Sequence, residues 1–136
     1  YEILLENYSK TLHIEAKTLR DMVECQFLPA LMKYTDQLIA SIKGKQCIAT
    51  LPCKAETSLL TRLSAAYDDL YTMTEKLHED TLAAEKMEAP LETAKFYHET
   101  ILPAMDEIRK VADEAETILP DELLPYPAYE QLLFSV

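Results

Sequence analysis

A stripe of apolar residues recurs every three or four positions over the first 42 residues, and it restricts the fold more than any other feature of this sequence. This spacing is typical of one face of an α-helix, and it predicts a helix over about residues 3–43. Pro29 lies inside the stripe and lacks a backbone N–H, so we expect a kink one turn upstream of it. Gly44, with Lys43 and Lys45 beside it, is predicted to end this helix.

Two further patterns predict two further helices. A nearly heptad apolar repeat predicts a helix over about residues 55–85. The third pattern runs over about residues 91–119, since Pro90 suits a first helical turn and Pro120 cannot continue a helix. Short connections force successive helices to run antiparallel. The predicted fold is therefore all-α, an up-down-up bundle of three long helices in one domain, with a second kink at Pro103.

The last 17 residues differ in composition from the helices. Three prolines fall within eight positions, which predicts an extended tail over residues 120–136. Its large apolar side chains are expected to cover either the bundle's own groove or another protein surface. This candidate docking surface consists of Tyr126, Tyr129, Leu133 and Phe134.

Charge and composition exclude several classes of function. Thirteen Lys and Arg against 24 Asp and Glu give a net charge of −11, which repels nucleic acid and anionic membrane surfaces. The one glycine, Gly44, cannot form a glycine-rich phosphate loop. The longest apolar run, residues 27–32, is far shorter than the roughly 20 residues of a membrane span. We therefore expect no nucleic-acid partner and no membrane partner.

The three cysteines and the first residue indicate the setting of the chain. Cys25, Cys47 and Cys53 leave at least one thiol unpaired, which favours free thiols and a cytoplasmic location. The sequence opens at Tyr1 without the features of a secretory signal, and we interpret it as a piece of a longer protein. Charge is also uneven: residues 1–50 carry six bases and six acids, so the first helix is the one best suited to acidic neighbours.

The search for catalytic groups gives no catalytic, cofactor-binding or metal residue. Glu75 and His78 have the E-x-x-H spacing of bundle di-iron sites, but such sites need a second pair and two more glutamates. His13 and His98 have no glutamate three residues before them. A solvated polar face is the favoured interpretation of the acidic residues between positions 68 and 92. Tyrosines on the apolar stripes are interpreted as core residues whose hydroxyls reach the bundle rim.

Several motifs in fixed order resemble the C-terminal region of type III glutamine synthetases. They are residues 1–8 and 10–16, the Leu-Pro-Ala blocks at 28–30 and 102–104, and residues 124–129 and 132–134. Four positions of the closing motif depart from the family pattern. Leu124 stands where the family has tryptophan or a similar residue, and Ala128-Tyr129-Glu130-Gln131 replaces Thr-Tyr-Gly-Asp.

The resemblance implies a parent enzyme that makes glutamine from glutamate and ammonia. That enzyme uses ATP and a divalent metal, magnesium, in a homo-oligomeric ring, and its catalytic residues lie upstream of this chain. The chain itself would be a helical module for assembly or regulation, with the rest of the enzyme and neighbouring subunits as partners. The alternative is a free-standing helical adaptor that binds partner helices. An open reading frame that continues upstream of Tyr1 would favour the enzyme module.

Overall fold

The structure, a computed structural model, describes residues 1–123 and contains three long helices with no strand among those residues. The first consists of α1 (Glu2–Met22), a π-helical turn (Val23–Phe27) and α2 (Leu28–Ile48). The second is α3 (Lys54–Glu85). The third consists of α4 (Pro90–Phe96), a π-helical turn (Tyr97–Ile101) and α5 (Leu102–Glu116). The predicted all-α class is confirmed.

The contacts between helices give the up-down-up order. Lys45 near the end of α2 pairs with Glu56 near the start of α3, so the first and second helices run antiparallel. Leu63 early in α3 lines the same groove as Ala115 late in α5, which makes the second and third helices antiparallel as well. The core lies between the three helices. Its largest fully buried side chains include Phe27, Leu31, Leu63, Leu70, Leu77, Ile101, Met105 and Ile108.

A π-helical turn precedes each Leu-Pro-Ala block. The proline ring would clash with the carbonyl four residues earlier, and proline cannot donate to that carbonyl. In each π turn the bond instead spans five residues: Leu28 N–H donates to the Val23 carbonyl, and Leu102 N–H donates to the Tyr97 carbonyl. The wider turn absorbs one extra residue, and the helix continues past both prolines. The kinks at Pro29 and Pro103 stay predictions.

Helix ends depart from the expected positions in two places. The first helix continues through Gly44 and stops at Ile48. Open space surrounds Gly44, since a Cβ atom at this position would meet no atom of residues 1–123 within 4 Å apart from its own stretch of helix. A glycine inside a helix costs only about 1 kcal/mol, so it does not stop one by itself. The stop comes where Ala49 becomes extended, with φ −164° and ψ 168°. The third helix ends at Glu116.

Part of the predicted extended tail is instead a turn. Asp121–Leu123 forms a 3₁₀ turn, in which Leu123 N–H donates to the Pro120 carbonyl at 3.0 Å. Proline at the start of a turn is compatible with that geometry because its own N–H is not required. The predicted docking surface of Tyr126, Tyr129, Leu133 and Phe134 lies outside the described residues.

Replacement of Pro103 by alanine tests whether the third helix needs its proline. The helices packed against it are arranged for the present path, so we expect Pro103→Ala to lower the melting temperature by roughly 3–5 °C, although alanine restores a backbone donor. Thermal unfolding followed by circular dichroism measures this. A higher melting temperature with unchanged assembly would show that the proline has no structural purpose.

Candidate functional site

Two tyrosine–histidine pairs join the first and third helices at one end of the bundle. The Tyr8 hydroxyl lies 2.9 Å from His98 Nδ1, and His13 Nδ1 lies 3.1 Å from the Tyr97 hydroxyl. Each helix thus supplies one tyrosine and one histidine. The Tyr8–His98 pair is exposed, whereas Tyr97 is only 4% exposed. Tyr97 is thus a core tyrosine whose hydroxyl contacts a histidine, as its apolar stripe predicts, whereas Tyr8 is 36% exposed and is not a core residue.

The second pair extends to the second helix. His13 Nε2 lies 3.5 Å from Glu85 Oε1 at the end of α3, so Glu85, His13 and Tyr97 form a row across all three helices. Two features bring them together. The third helix begins at Pro90, five residues after Glu85, so the connection between the two helices is short. Tyr97 is the first residue of the π-helical turn. We name Glu85, His13 and Tyr97 the clamp. Its two contacts connect all three helices at this end of the bundle.

The electrostatics of the clamp oppose an acid–base function. Burial raises the pKa of the Tyr97 hydroxyl, and the nearby Glu85 carboxylate raises it further. Both effects favour the neutral phenol over the phenolate. A tyrosine that serves as a base or nucleophile needs the opposite shift. The clamp is therefore best explained as a structural contact between helices.

The raised pKa of Tyr97 gives a pH dependence with a defined sign. A phenol whose pKa is higher in the folded than in the unfolded chain stabilises the fold fully below about pH 10, and this contribution is lost as the pH rises through the folded pKa. We expect wild type to lose stability above about pH 10 more steeply than Tyr97→Phe. Denaturant unfolding of both proteins from neutral to alkaline pH measures the difference. Parallel curves would contradict the raised pKa.

A double-mutant cycle measures the clamp itself. We expect His13→Ala and Tyr97→Phe to show a coupling free energy of about 0.5–1.5 kcal/mol, since they share one partly buried hydrogen bond. The matched control combines His13→Ala with Tyr8→Phe, whose hydroxyl bonds elsewhere, and should couple by less than about 0.3 kcal/mol. Equal coupling in the two cycles would mean that the hydrogen bond has no separate effect.

The residues singled out in the sequence occupy separate places. His78 lines a small cavity of about 130 Å³ between α1 and α3, together with His13, Lys17 and Arg20, whereas Glu75 does not line it. No motif predicts that two histidines meet, yet His13 and His78 share this cavity because they lie on facing helix surfaces. Over residues 1–123, no three His, Cys, Asp or Glu side chains are grouped as metal ligands would be. All three cysteines are free thiols.

Sequence reasoning missed the clamp. The hydrogen bonds between tyrosines and histidines join residues 84 and 90 positions apart, and no local motif marks such pairs. The usable signal was that Tyr97 falls on an apolar stripe, where a buried hydroxyl needs a partner.

Comparison with known proteins agrees with the motifs at the start of the chain. The sequence model of the glutamine synthetase C-terminal domain family matches residues 1–46, which cover α1 and most of α2. A glutamine synthetase from Butyrivibrio fibrisolvens is 42% identical over the whole chain. Over its whole length the chain is similar to the C-terminal region of glutamine synthetases. The predicted resemblance is confirmed.

Further glutamine synthetases align over nearly the whole chain. A type-3 glutamine synthetase from Dictyostelium discoideum is 27% identical over 98% of the chain, and a glutamine synthetase from Bacteroides fragilis is 25% identical over 98%. The chain spans about a fifth of the length of these relatives. Among the described residues, no helix is both long enough and apolar enough to cross a membrane.

Proposed function

We propose that this chain is the C-terminal helical module of a type III glutamine synthetase and that its role is structural, in assembly or regulation. The parent enzyme would join glutamate and ammonia with ATP. The observation that carries the proposal is the 42% identity over the whole chain to a glutamine synthetase of which the chain spans 20%. The type-3 relative supports the subfamily.

The described residues do not fit a site for ATP and magnesium. Magnesium prefers carboxylate and other oxygen ligands, and residues 1–123 group no three His, Cys, Asp or Glu side chains. The single glycine gives no phosphate-binding loop. The hydroxyl nearest a histidine in the core, that of Tyr97, has its pKa shifted away from reactivity. These features support a module that is inert alone, with ATP and magnesium bound elsewhere in the parent.

The proposed partners are the rest of the parent enzyme and the neighbouring subunits of a homo-oligomeric ring. The rest of the parent enzyme is supported as a partner because the relatives are glutamine synthetases. The proposed location is the cytoplasm, and the three free thiols support it because a reducing compartment keeps cysteines unpaired.

The C-terminal tail is proposed to dock through Tyr126, Tyr129, Leu133 and Phe134. Each large side chain that becomes fully covered would contribute roughly 1.5–3 kcal/mol. Deletion of residues 125–136 tests whether the tail docks on the bundle or on another part of the parent enzyme. A less stable isolated chain would place the docking surface on the bundle, and a smaller oligomer only in the full-length enzyme would place it on another part of the parent. No change in either would contradict docking.

Glutamine formation by the purified chain and by the full-length enzyme tests the proposed function. We expect activity only in the full-length enzyme at matched concentrations with ATP, magnesium, glutamate and ammonia. Activity of the chain above a blank would overturn the structural role. An inactive full-length enzyme would overturn the assignment of the parent and would favour a helical adaptor.

A further inference from the structure

The helical hairpin at the α2–α3 connection projects beyond the third helix. We name residues 39–62 the arm. Leu38 is the last buried residue of α2 and Leu63 the first of α3, so no residue of the arm is buried. Within residues 1–123, the third helix reaches the base of the arm, where Arg62 lines one groove with Ala115 and Ile118, and the turn Asp121–Leu123 contacts α2.

One ion pair joins the two helices of the arm. Lys45 Nζ donates to Glu56 Oε2 at 2.5 Å across the hairpin. This bond raises the pKa of Lys45 and lowers that of Glu56, so both groups are charged at neutral pH. Glu56 is the only acidic residue in the arm, and its charge is neutralised by Lys45.

The charge of the arm is opposite to that of the rest of the chain. Residues 39–62 carry four bases and one acid, whereas the remaining residues carry nine bases and 23 acids. With Lys45 paired, Lys43, Lys54 and Arg62 are exposed and form no ion pair with the described part of the chain. At the tip, Ile48 is 84% exposed and Leu51 is 44% exposed. An apolar tip among unpaired cations is suited to an acidic protein surface with some apolar area.

Such a surface exists on the outer face of α3 beyond the arm. Asp68, Glu75 and Glu79 are seven and four residues apart, which aligns them along one side of the helix. None of the three forms an ion pair within residues 1–123. The same side of α3 carries Lys54 at its beginning. Twenty-five residues of helix separate Lys54 from Glu79, about 37 Å, so the two cannot meet within one chain.

We propose that the arm binds a second copy of this chain, with the two α3 helices antiparallel. A twofold axis between Ala65 and Asp68 places Lys54 opposite Glu79 of the partner subunit, and Ser58 opposite Glu75 of the partner subunit. The symmetry repeats each contact, so one interface forms two Lys54–Glu79 pairs. It also carries the apolar tip of each arm towards the region of Leu82 of the partner subunit. Leu82 is itself 44% exposed.

Charge reversal tests this contact in the 136-residue chain by sedimentation velocity over a range of concentrations. We expect Lys54→Glu and Glu79→Lys each to weaken self-association roughly tenfold or more, because each change creates two like-charge contacts. The two changes in one chain should restore association to near the wild-type level. Added salt should weaken the wild-type dimer.

The matched controls reverse exposed charges on the third helix. Lys95→Glu and Glu92→Lys make the same changes in net charge and should leave association unchanged, and circular dichroism confirms that every variant keeps its helices. A wild-type chain that stays monomeric at all concentrations would overturn the proposal. So would reversals that weaken association without restoration in the double variant, since the acidic partner would then not be α3 of a second copy. The proposal concerns one contact of the proposed module, and the readout is self-association, so failure here leaves the assignment to a glutamine synthetase parent standing.

Discussion

Phe27→Ala is expected to lower the free energy of unfolding by about 3–5 kcal/mol. Phe27 is 1% exposed and ends the first π turn, where the first helix packs against α3. Removal of its ring leaves a cavity that the surrounding helices cannot fill without a change of path. The free energy of unfolding of a domain of this size is about 5–15 kcal/mol in total, so the variant should be close to unfolding. Denaturant unfolding followed by circular dichroism measures the loss.

Met32→Ala is the matched control for Phe27→Ala. Met32 lies in the same long helix but is 49% exposed, so its truncation should change stability by less than about 0.5–1 kcal/mol. Equal losses in the two variants would contradict the assignment of the core.

Leu77→Asp is expected to prevent stable folding or to cost more than about 4 kcal/mol. Leu77 is 0% exposed in the last third of α3, on the side that faces α1. A carboxylate there would be ionised without a partner or would be protonated at a large energetic cost. Met32→Asp, at a position that is 49% exposed, should leave the helical content and the unfolding midpoint nearly unchanged. A folded Leu77→Asp protein of wild-type stability would contradict the buried seam between the first and second helices.

The three helices were predictable because helical spacing is a local property. The positions of Phe27, Leu31, Leu70, Leu77 and Ile108 on their stripes were sufficient to place them in the core. Pro90 and Pro120 bounded the third helix because proline acts on the residues beside it. Gly44 misled the prediction of a helix end, since a glycine within a helix is destabilising but compatible with helical backbone.

The clamp and the arm depend on how the helices are aligned, which no local pattern records. His13 meets Tyr97 only once the first and third helices are set in register, and Glu85 joins them only because α3 ends at that level. The arm arises from a difference in length, since α2 and α3 extend past the end of the third helix at Glu116. The two prolines predicted kinks, and the π turns that precede them were not predicted from the sequence.

Removal of the module from the full-length enzyme tests the central claim most directly. Deletion of the segment equivalent to residues 1–136 should change the size of the oligomer, measured by sedimentation velocity, and should reduce glutamine formation only through that change. The full-length enzyme with Phe27→Ala should show the same defect, and the exposed control Met32→Ala should not. Unchanged oligomer size with normal activity after deletion would contradict a structural module. An intact oligomer without activity would contradict it equally, because the segment would then take part in the chemistry.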